Sequence, residues 1–189
     1  MTAEDRACWQ VYDIVSGQRK YISGDELTRF LRIADWREPS MRALCHVLAY
    51  TGCRITEALT LTRFQFDAER MVVIIKTLKR RRVVFRAVPI SEELAAQLLQ
   101  LPTGEDGRFW TMHRGTAWRS LKEVMTLAGI IGPMASPKGL RHGFGIRAAS
   151  RNIPPNLIQR WMGHASLKTT AIYLDAVGAE EREFASRMW

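Results

Sequence analysis

Two short stretches carry residues able to act together. "SPKGLRHGFG", residues 136–145, sets a lysine, an arginine and a histidine within five positions, and "WMGHASLKTTAIYLDA" sets His164 and Tyr173 nine residues apart. With Pro137 in the first turn of a helix, Lys138 and Arg141 fall one turn apart on one face. Two cations so placed repel unless an anion sits between them, and a phosphate would serve. His142 lies about 100° further round that helix and is expected to pack against its neighbours. On an unbroken helix His164 and Tyr173 would stand ~13 Å apart, too far to share a site. "GHAS" breaks the helix, with Gly163 as a C-cap and Ser166 as the next N-cap. His164 can then fold back while Tyr173 projects two turns down the new helix.

Two further stretches supply cations. In "TGCRITEALTL", residues 51–61, Gly52 ends one helix, and Arg54 and Glu57 share a face at the start of the next. The carboxylate can hold the guanidinium in place, although a surface ion pair would have the same spacing. In "IIKTLKRRRVVFR" the cations Lys76, Lys79, Arg80, Arg81, Arg82 and Arg86 surround a hairpin tip that can enter a groove, reach a phosphate, or stand in solvent. Arginine, lysine, arginine, histidine and tyrosine together suggest attack of a tyrosine on a phosphodiester. Two arginines can neutralise the pentavalent transition state as forks on the non-bridging oxygens. A lysine on a loop can protonate the leaving 5′-oxygen, and a histidine can bond the phosphate. No metal or other cofactor is expected, because no His, Cys or carboxylate cluster has ligand spacing.

These residues need elements to position them. "SGDELTRFLRIADW" starts a helix that Ser23 or Asp25 can cap, with Leu27, Phe30 and Leu31 on one face. Pro39 sits near the next helix start, and "MRALCHVLAYTG" is apolar at helical spacing up to Gly52. Val72–Ile75 and Val83–Phe85 are β-branched or aromatic runs, which read as the arms of the basic hairpin. "SEELAAQLLQL" is a helix capped by Ser91, and further helices are predicted over about 115–129, 138–151, 155–162 and 166–176. The fold class is therefore mainly α with a small antiparallel β-sheet or hairpin. No repeat or linker divides the chain.

Composition narrows the partners. The 189 residues carry 28 Lys+Arg against 19 Asp+Glu, a formal charge of +9, with pI near 10. That sign favours a polyanion, nucleic acid first and an acidic membrane surface second. Cys8, Cys45 and Cys53 have no metal or disulfide spacing and fit reduced cytosolic thiols. The N-terminus does not read as a secretory signal, and no apolar run approaches the ~20 residues of a membrane span.

At this point the order and wording of the motifs resemble the tyrosine recombinases, also called phage integrases. "TGCRITEALTL" is similar to the family's first arginine box, which implies Arg54 as a catalytic arginine and Glu57 as its partner. "IIKTLKRRR" resembles the hairpin that carries the catalytic lysine, implying Lys76 with Lys79 in reserve and Arg80, Arg81 and Arg82 as DNA contacts. "KGLRHGFGIR" resembles the second box, implying Lys138 and Arg141 as active members with His142 supporting. "WMGHASLKTTAIYL" resembles the last box, implying His164 and the nucleophile Tyr173. Most members have His where Lys138 stands, and a lysine, with an ordinary pKa of about 10.4, donates to a phosphate but is a poor proton acceptor.

The resemblance covers residues 22–176, with 1–21 as an N-terminal arm and 177–189 as a tail expected to dock on a neighbouring protomer through Phe184 and Met188. It implies a site-specific recombinase or integrase that acts on double-stranded DNA through a 3′-phosphotyrosyl link, without metal or ATP. It implies a homotetramer on two DNA sites, possible accessory DNA-bending proteins and a cytoplasmic location. A non-catalytic DNA-binding regulator on the same fold and a type IB topoisomerase-like relaxing enzyme are the alternatives.

Overall fold

The computed structural model describes residues 11–13, 15–77, 83–174 and 185–188. The helices begin where polar caps precede apolar periodicity. Ser23 accepts the N–H of Glu26 while Glu26 reaches back to the N–H of Ser23, and this capping box opens α1, Gly24–Ala34. Glu38 caps α2, Pro39–Thr51, whose proline stands in the first turn. The chain leaves α2 through Gly52 at φ 61°, a left-handed conformation that favours glycine, and turns at once into the short α3, Ile55–Leu59.

A three-stranded antiparallel sheet follows in the order β1 (Phe66–Asp67), β2 (Val72–Thr77), β3 (Val84–Pro89). Ile75 pairs with Arg86 and Thr77 with Val84. Strand alternation sends Val73, Ile75, Thr77, Arg86 and Val88 inward and leaves Ile74, Lys76, Phe85 and Ala87 outside. This corrects the reading of Arg86 as a tip cation. It lies on the buried face opposite Ile75, because its strand position decides its surroundings. Lys79, Arg80, Arg81 and Arg82 lie outside the described residues.

Ser91 caps α4, Glu92–Gln100, and His113 caps α5, Arg114–Leu127. α5 stops short of the expected 129 because Gly129 turns left-handed at φ 68°. Ser136 accepts the N–H of Gly139 and opens α6, Pro137–Ser150. α7, Pro155–Met162, ends at Gly163 with φ 67°, and α8, Leu167–Leu174, starts beyond a turn in which Ser166 Oγ accepts the N–H of Lys168. The helix break expected from "GHAS" is therefore present. Asp175 and Ala176 lie outside the described residues, as does most of the 177–189 tail.

The main core gathers Phe30, Leu44, Leu48, Ile75, Leu94 and Leu121 from the helices and the sheet, with Leu61 and Trp110 from the connecting segments. A second, smaller cluster joins Val11 and Tyr21 to Ile146, Ile158, Met162, Ile172 and Tyr173 of α6–α8. Tyr12 and Arg19 are joined by a β-bridge beside it, and Arg19 forks onto Glu26 at 2.6 Å. Ile172 and Tyr173 are the apolar side chains that α8 buries in this cluster, so Tyr173 also anchors the helix that carries it. Cys45 and Cys53 are free and buried, and burial pushes their thiols up to about 12 and about 11. Among the described residues, no helix is long and apolar enough to cross a membrane.

Candidate active site

Arg54 stands at the N-cap of α3, fixed by the carboxylate three residues on. Its Nη1 donates to Glu57 Oε1 at 2.8 Å and its backbone N–H to Oε2 at 3.0 Å. Glu57 is 1% exposed, and its Oε2 also accepts Arg86 Nη2 at 2.6 Å. Arg86 donates further to Thr77 Oγ1 at 2.8 Å and to the carbonyl of Trp161 at 2.7 Å. One carboxylate thus ties α3 to the sheet, and Arg86 ties the sheet to α7. Burial pushes the Glu57 carboxyl up, but Arg86, the N–H of Arg54 and the Arg54 guanidinium outweigh it and hold it below its ordinary value. It is ionised at neutral pH, so it keeps Arg54 oriented as a charged fork.

Arg141 is held by helix ends rather than by an acid. Its Nη1 donates to the carbonyl of Gly52 at 2.6 Å and its Nη2 to that of Met162 at 2.7 Å. These carbonyls lie at the C-termini of α2 and α7, where the helix dipole favours a cation. Burial, then the charge of Arg54, lowers the guanidinium to about 10, still protonated at neutral pH. Arg54, Arg114, Lys138 and Arg141 line the cleft and no acid among the described residues does, so it is electropositive even with Glu57 paired behind Arg54.

His164 and Tyr173 meet because Gly163 reverses the chain. The N–H of His164 returns to the carbonyl of Gln159 at 3.0 Å, and its Nδ1 lies 2.9 Å from Thr170 Oγ1. With the Thr170 hydroxyl donating, the ring carries its proton on Nε2. The imidazole stacks on the Tyr173 ring, centroids 5.9 Å apart at 17°. Tyr173 is 3% exposed, and its ring covers Gly145, where an added Cβ would sit 2.7 Å from it. On its other side stands His142, whose Nδ1 is 3.0 Å from the Tyr173 hydroxyl. His142 packs, as its angle round α6 implies, and it also touches that hydroxyl.

Burial pushes the phenol up to about 12, against the pull of Arg141 and Arg54. Burial, then nearby cations, drives both imidazoles down to about 3, so both are neutral at neutral pH.

One open cleft of about 590 Å³ brings together Arg54, Lys138, Arg141, His142, His164 and Tyr173. Lys138 is exposed at its rim, one turn from Arg141. Arg114 and Trp118 of α5 also line it. The sequence reading missed them, although their four-residue spacing puts them on one helix face. Lys76 is not among the lining residues and lies on the outer face of β2. Thr77, Val84, Phe85 and Arg86 at the root of its hairpin border a second cleft that reaches Gly163 and His164. Among the described residues, no group of three His, Cys, Asp or Glu side chains is arranged to hold a metal ion.

The chain is similar to known proteins in sequence and in fold. Residues 20–179 match the model of the phage integrase family. The chain is 28% identical over 173 residues to the tyrosine recombinase XerD of Haemophilus influenzae, covering 82% of this chain and 57% of that protein. It superposes on the crystal structure of XerA recombinase with a TM-score of 0.76 and 27% identity, over 89% of this chain and 64% of that one. XerH recombinase bound to its difH substrate shares the fold, with a TM-score of 0.73 and 24% identity over 90% and 54% of the two chains. The chain therefore spans less than two thirds of each of these proteins. Its motifs, its fold and the matched length show that the chain belongs to the phage integrase family, the tyrosine recombinases.

Proposed function

We propose that this chain is the catalytic domain of a site-specific DNA recombinase, cleaving and rejoining strands through Tyr173. One observation carries the reading: side chains from α3, α6, α8 and the α7–α8 turn converge on one electropositive cleft around a buried tyrosine. Tyr173 Oη attacks the phosphorus of a DNA backbone phosphate, its O–P bond forms, and the bond to the 5′-oxygen breaks. A 3′-phosphotyrosyl link and a free 5′-hydroxyl result.

Arg54 and Arg141 take the charge on the non-bridging oxygens, where forked, preorganised donors are worth most. His164 donates from Nε2 and Lys138 from the rim. Lys76, with Lys79 in reserve, protonates the departing 5′-oxygen, and Arg80, Arg81 and Arg82 contact the duplex. Attack of a second 5′-hydroxyl on the link reverses the step and reseals the strand. Ester is exchanged for ester, so neither ATP nor a metal is required. The formal charge of +9 suits double-stranded DNA.

The assembly belongs to the same reading: four protomers on two DNA sites in the cytoplasm, with DNA-bending accessory proteins and with the 177–189 tail docked on a neighbour. The test is incubation with labelled DNA from the flanks of its gene. A denaturation-resistant adduct is expected, together with recombinant product rather than relaxed plasmid alone. DNA binding without any adduct would instead identify a non-catalytic binder.

A further inference from the structure

The cleft holds the nucleophile's hydroxyl in a way that the proposed reaction has not yet used. The attacking phenol must lose a proton, and the side chains around it differ in their ability to take one. The guanidiniums of Arg54 and Arg141 and the ammonium of Lys138 are donors only, with no lone pair to offer. His164 lies flat against the tyrosine ring, with Nδ1 engaged by Thr170. His142 alone among the described residues has a hydrogen-bond contact with the Tyr173 hydroxyl, through Nδ1 at 3.0 Å.

We propose that His142 accepts the Tyr173 proton during strand cleavage and returns it when the strand is resealed. The inference rests on Tyr173 being the nucleophile. In the forward step the Tyr173 oxygen bonds to phosphorus, its proton passes to His142 Nδ1, and the 5′-oxygen leaves with a proton from the hairpin lysine. On resealing, the imidazolium gives the proton back to the departing phenolate oxygen.

Two features of the surroundings fit this shuttle. His142 Nε2 is buried and meets no hydrogen-bond partner among the described residues. The tautomer with its proton on Nε2 presents the Nδ1 lone pair to the hydroxyl. A proton received at Nδ1 then finds no outlet on the far side of the ring, so it stays with the pair until the tyrosine leaves. Unpaired buried polar atoms are rare in folded proteins, and here the orphan belongs to a residue that touches the reacting oxygen.

The second feature is charge. The groups that face His142 are Lys138 and Arg141 of α6, Lys20 of the N-terminal segment, His164 and Tyr173. After burial, Lys138, Arg141 and Lys20 are what depress the imidazole. A phosphate seated between Lys138 and Arg141 offsets those charges, so the ring becomes more basic when substrate is bound.

The test compares two reactions on one preparation of the whole chain. The first is adduct formation on a nicked duplex that carries the wild-type cleavage site. The second joins a DNA strand ending in a 3′-(4-nitrophenyl) phosphate to an incoming 5′-hydroxyl. There 4-nitrophenolate leaves unaided, so neither Tyr173 nor its proton takes part, while the arginines still act on the same phosphate. His142→Asn keeps a polar atom near Nδ1 but cannot take a proton.

It should lower the ratio of cleavage to joining by about 10²-fold or more, the typical contribution of one positioned base. Its residual cleavage should rise about tenfold per pH unit above neutrality, as the phenol ionises by itself. The ratio does not depend on the folded fraction, and His142→Gln is the second variant if His142→Asn yields no folded protein. A wild-type ratio, with both rates normal or both reduced together, overturns the inference. A Tyr173→Phe protein that still forms adduct overturns the nucleophile reading and this inference with it. Loss of adduct in Tyr173→Phe with a wild-type ratio in His142→Asn overturns this inference alone.

Discussion

Glu57→Gln removes one charge and almost no volume. The carboxylate it replaces is fully buried, 2.6 Å from Arg86 and 2.8 Å from Arg54. The Arg86 side chain is itself only 3% exposed, whereas that of Arg54 is 25% exposed and keeps its contact with water. Most of the cost therefore falls on Arg86. Removing one partner of a buried pair typically costs about 3–5 kcal/mol. Arg86 retains its bonds to Thr77 and Trp161, and glutamine keeps a carbonyl oxygen, so the lower end, about 3 kcal/mol, applies. For a chain of 189 residues, that loss is a fall in Tm of about 6–12 °C.

The pH dependence follows from the sign of the shift. The Glu57 carboxyl is lowered by folding, so its contribution is complete above its ordinary value of 4.5 and is lost as pH falls through the lower folded value. Urea titrations of wild type and variant should differ fully at pH 7 and by less at pH 4. Adding Arg86→Met should recover part of the loss, because the uncompensated cation goes with it. A variant within about 0.5 kcal/mol of wild type, or a gap that widens toward pH 4, would mean that the Glu57 charge does not hold Arg86 in the fold.

Gly145→Ala places a methyl 2.7 Å from the Tyr173 ring. It should displace the nucleophile, so adduct formation in a DNA assay falls steeply while gel-shift binding stays near wild type. Lys76→Ala should slow cleavage strongly on ordinary DNA and much less on DNA with sulfur at the 5′-bridging position, since a thiolate leaves without a proton. Equal defects on both substrates would move the acid to Lys79 or elsewhere. Lys138→His should keep substantial cleavage in a timed adduct assay because histidine also donates. Lys138→Ala should lose about 10²–10³-fold, the usual cost of one transition-state donor.

Local chemistry made the helix boundaries legible. Ser23 and Ser91 cap where a polar side chain meets apolar periodicity, and Gly52 and Gly163 turn where the chain must go left-handed. The ordered motifs also point to Arg54, Lys138, Arg141, His164 and Tyr173, which do line one cleft. What stayed hidden depends on tertiary placement. Arg86 reads as one more cation in a basic run until strand pairing puts it opposite Ile75, on the buried face beside Glu57. β1, with two residues, is too short to display a period. His142 reaches the Tyr173 hydroxyl across 31 residues of sequence, and that contact exists only because α8 docks on α6 at Gly145. The outward face of Lys76 follows from the strand register, which a charge-rich stretch does not reveal.

Joining of one tyrosine to DNA can be read by mass spectrometry of the adduct. Trypsin should release the peptide of residues 169–182, which contains Tyr173, from adduct that has been trimmed by nuclease. Fragmentation is expected to place a 3′-linked nucleotide phosphate on Tyr173, and Tyr173→Phe is expected to yield no such peptide. A nucleotide on any other residue, a 5′ linkage, or an adduct that persists in Tyr173→Phe would mean that Tyr173 is not the nucleophile of a 3′-phosphotyrosyl link.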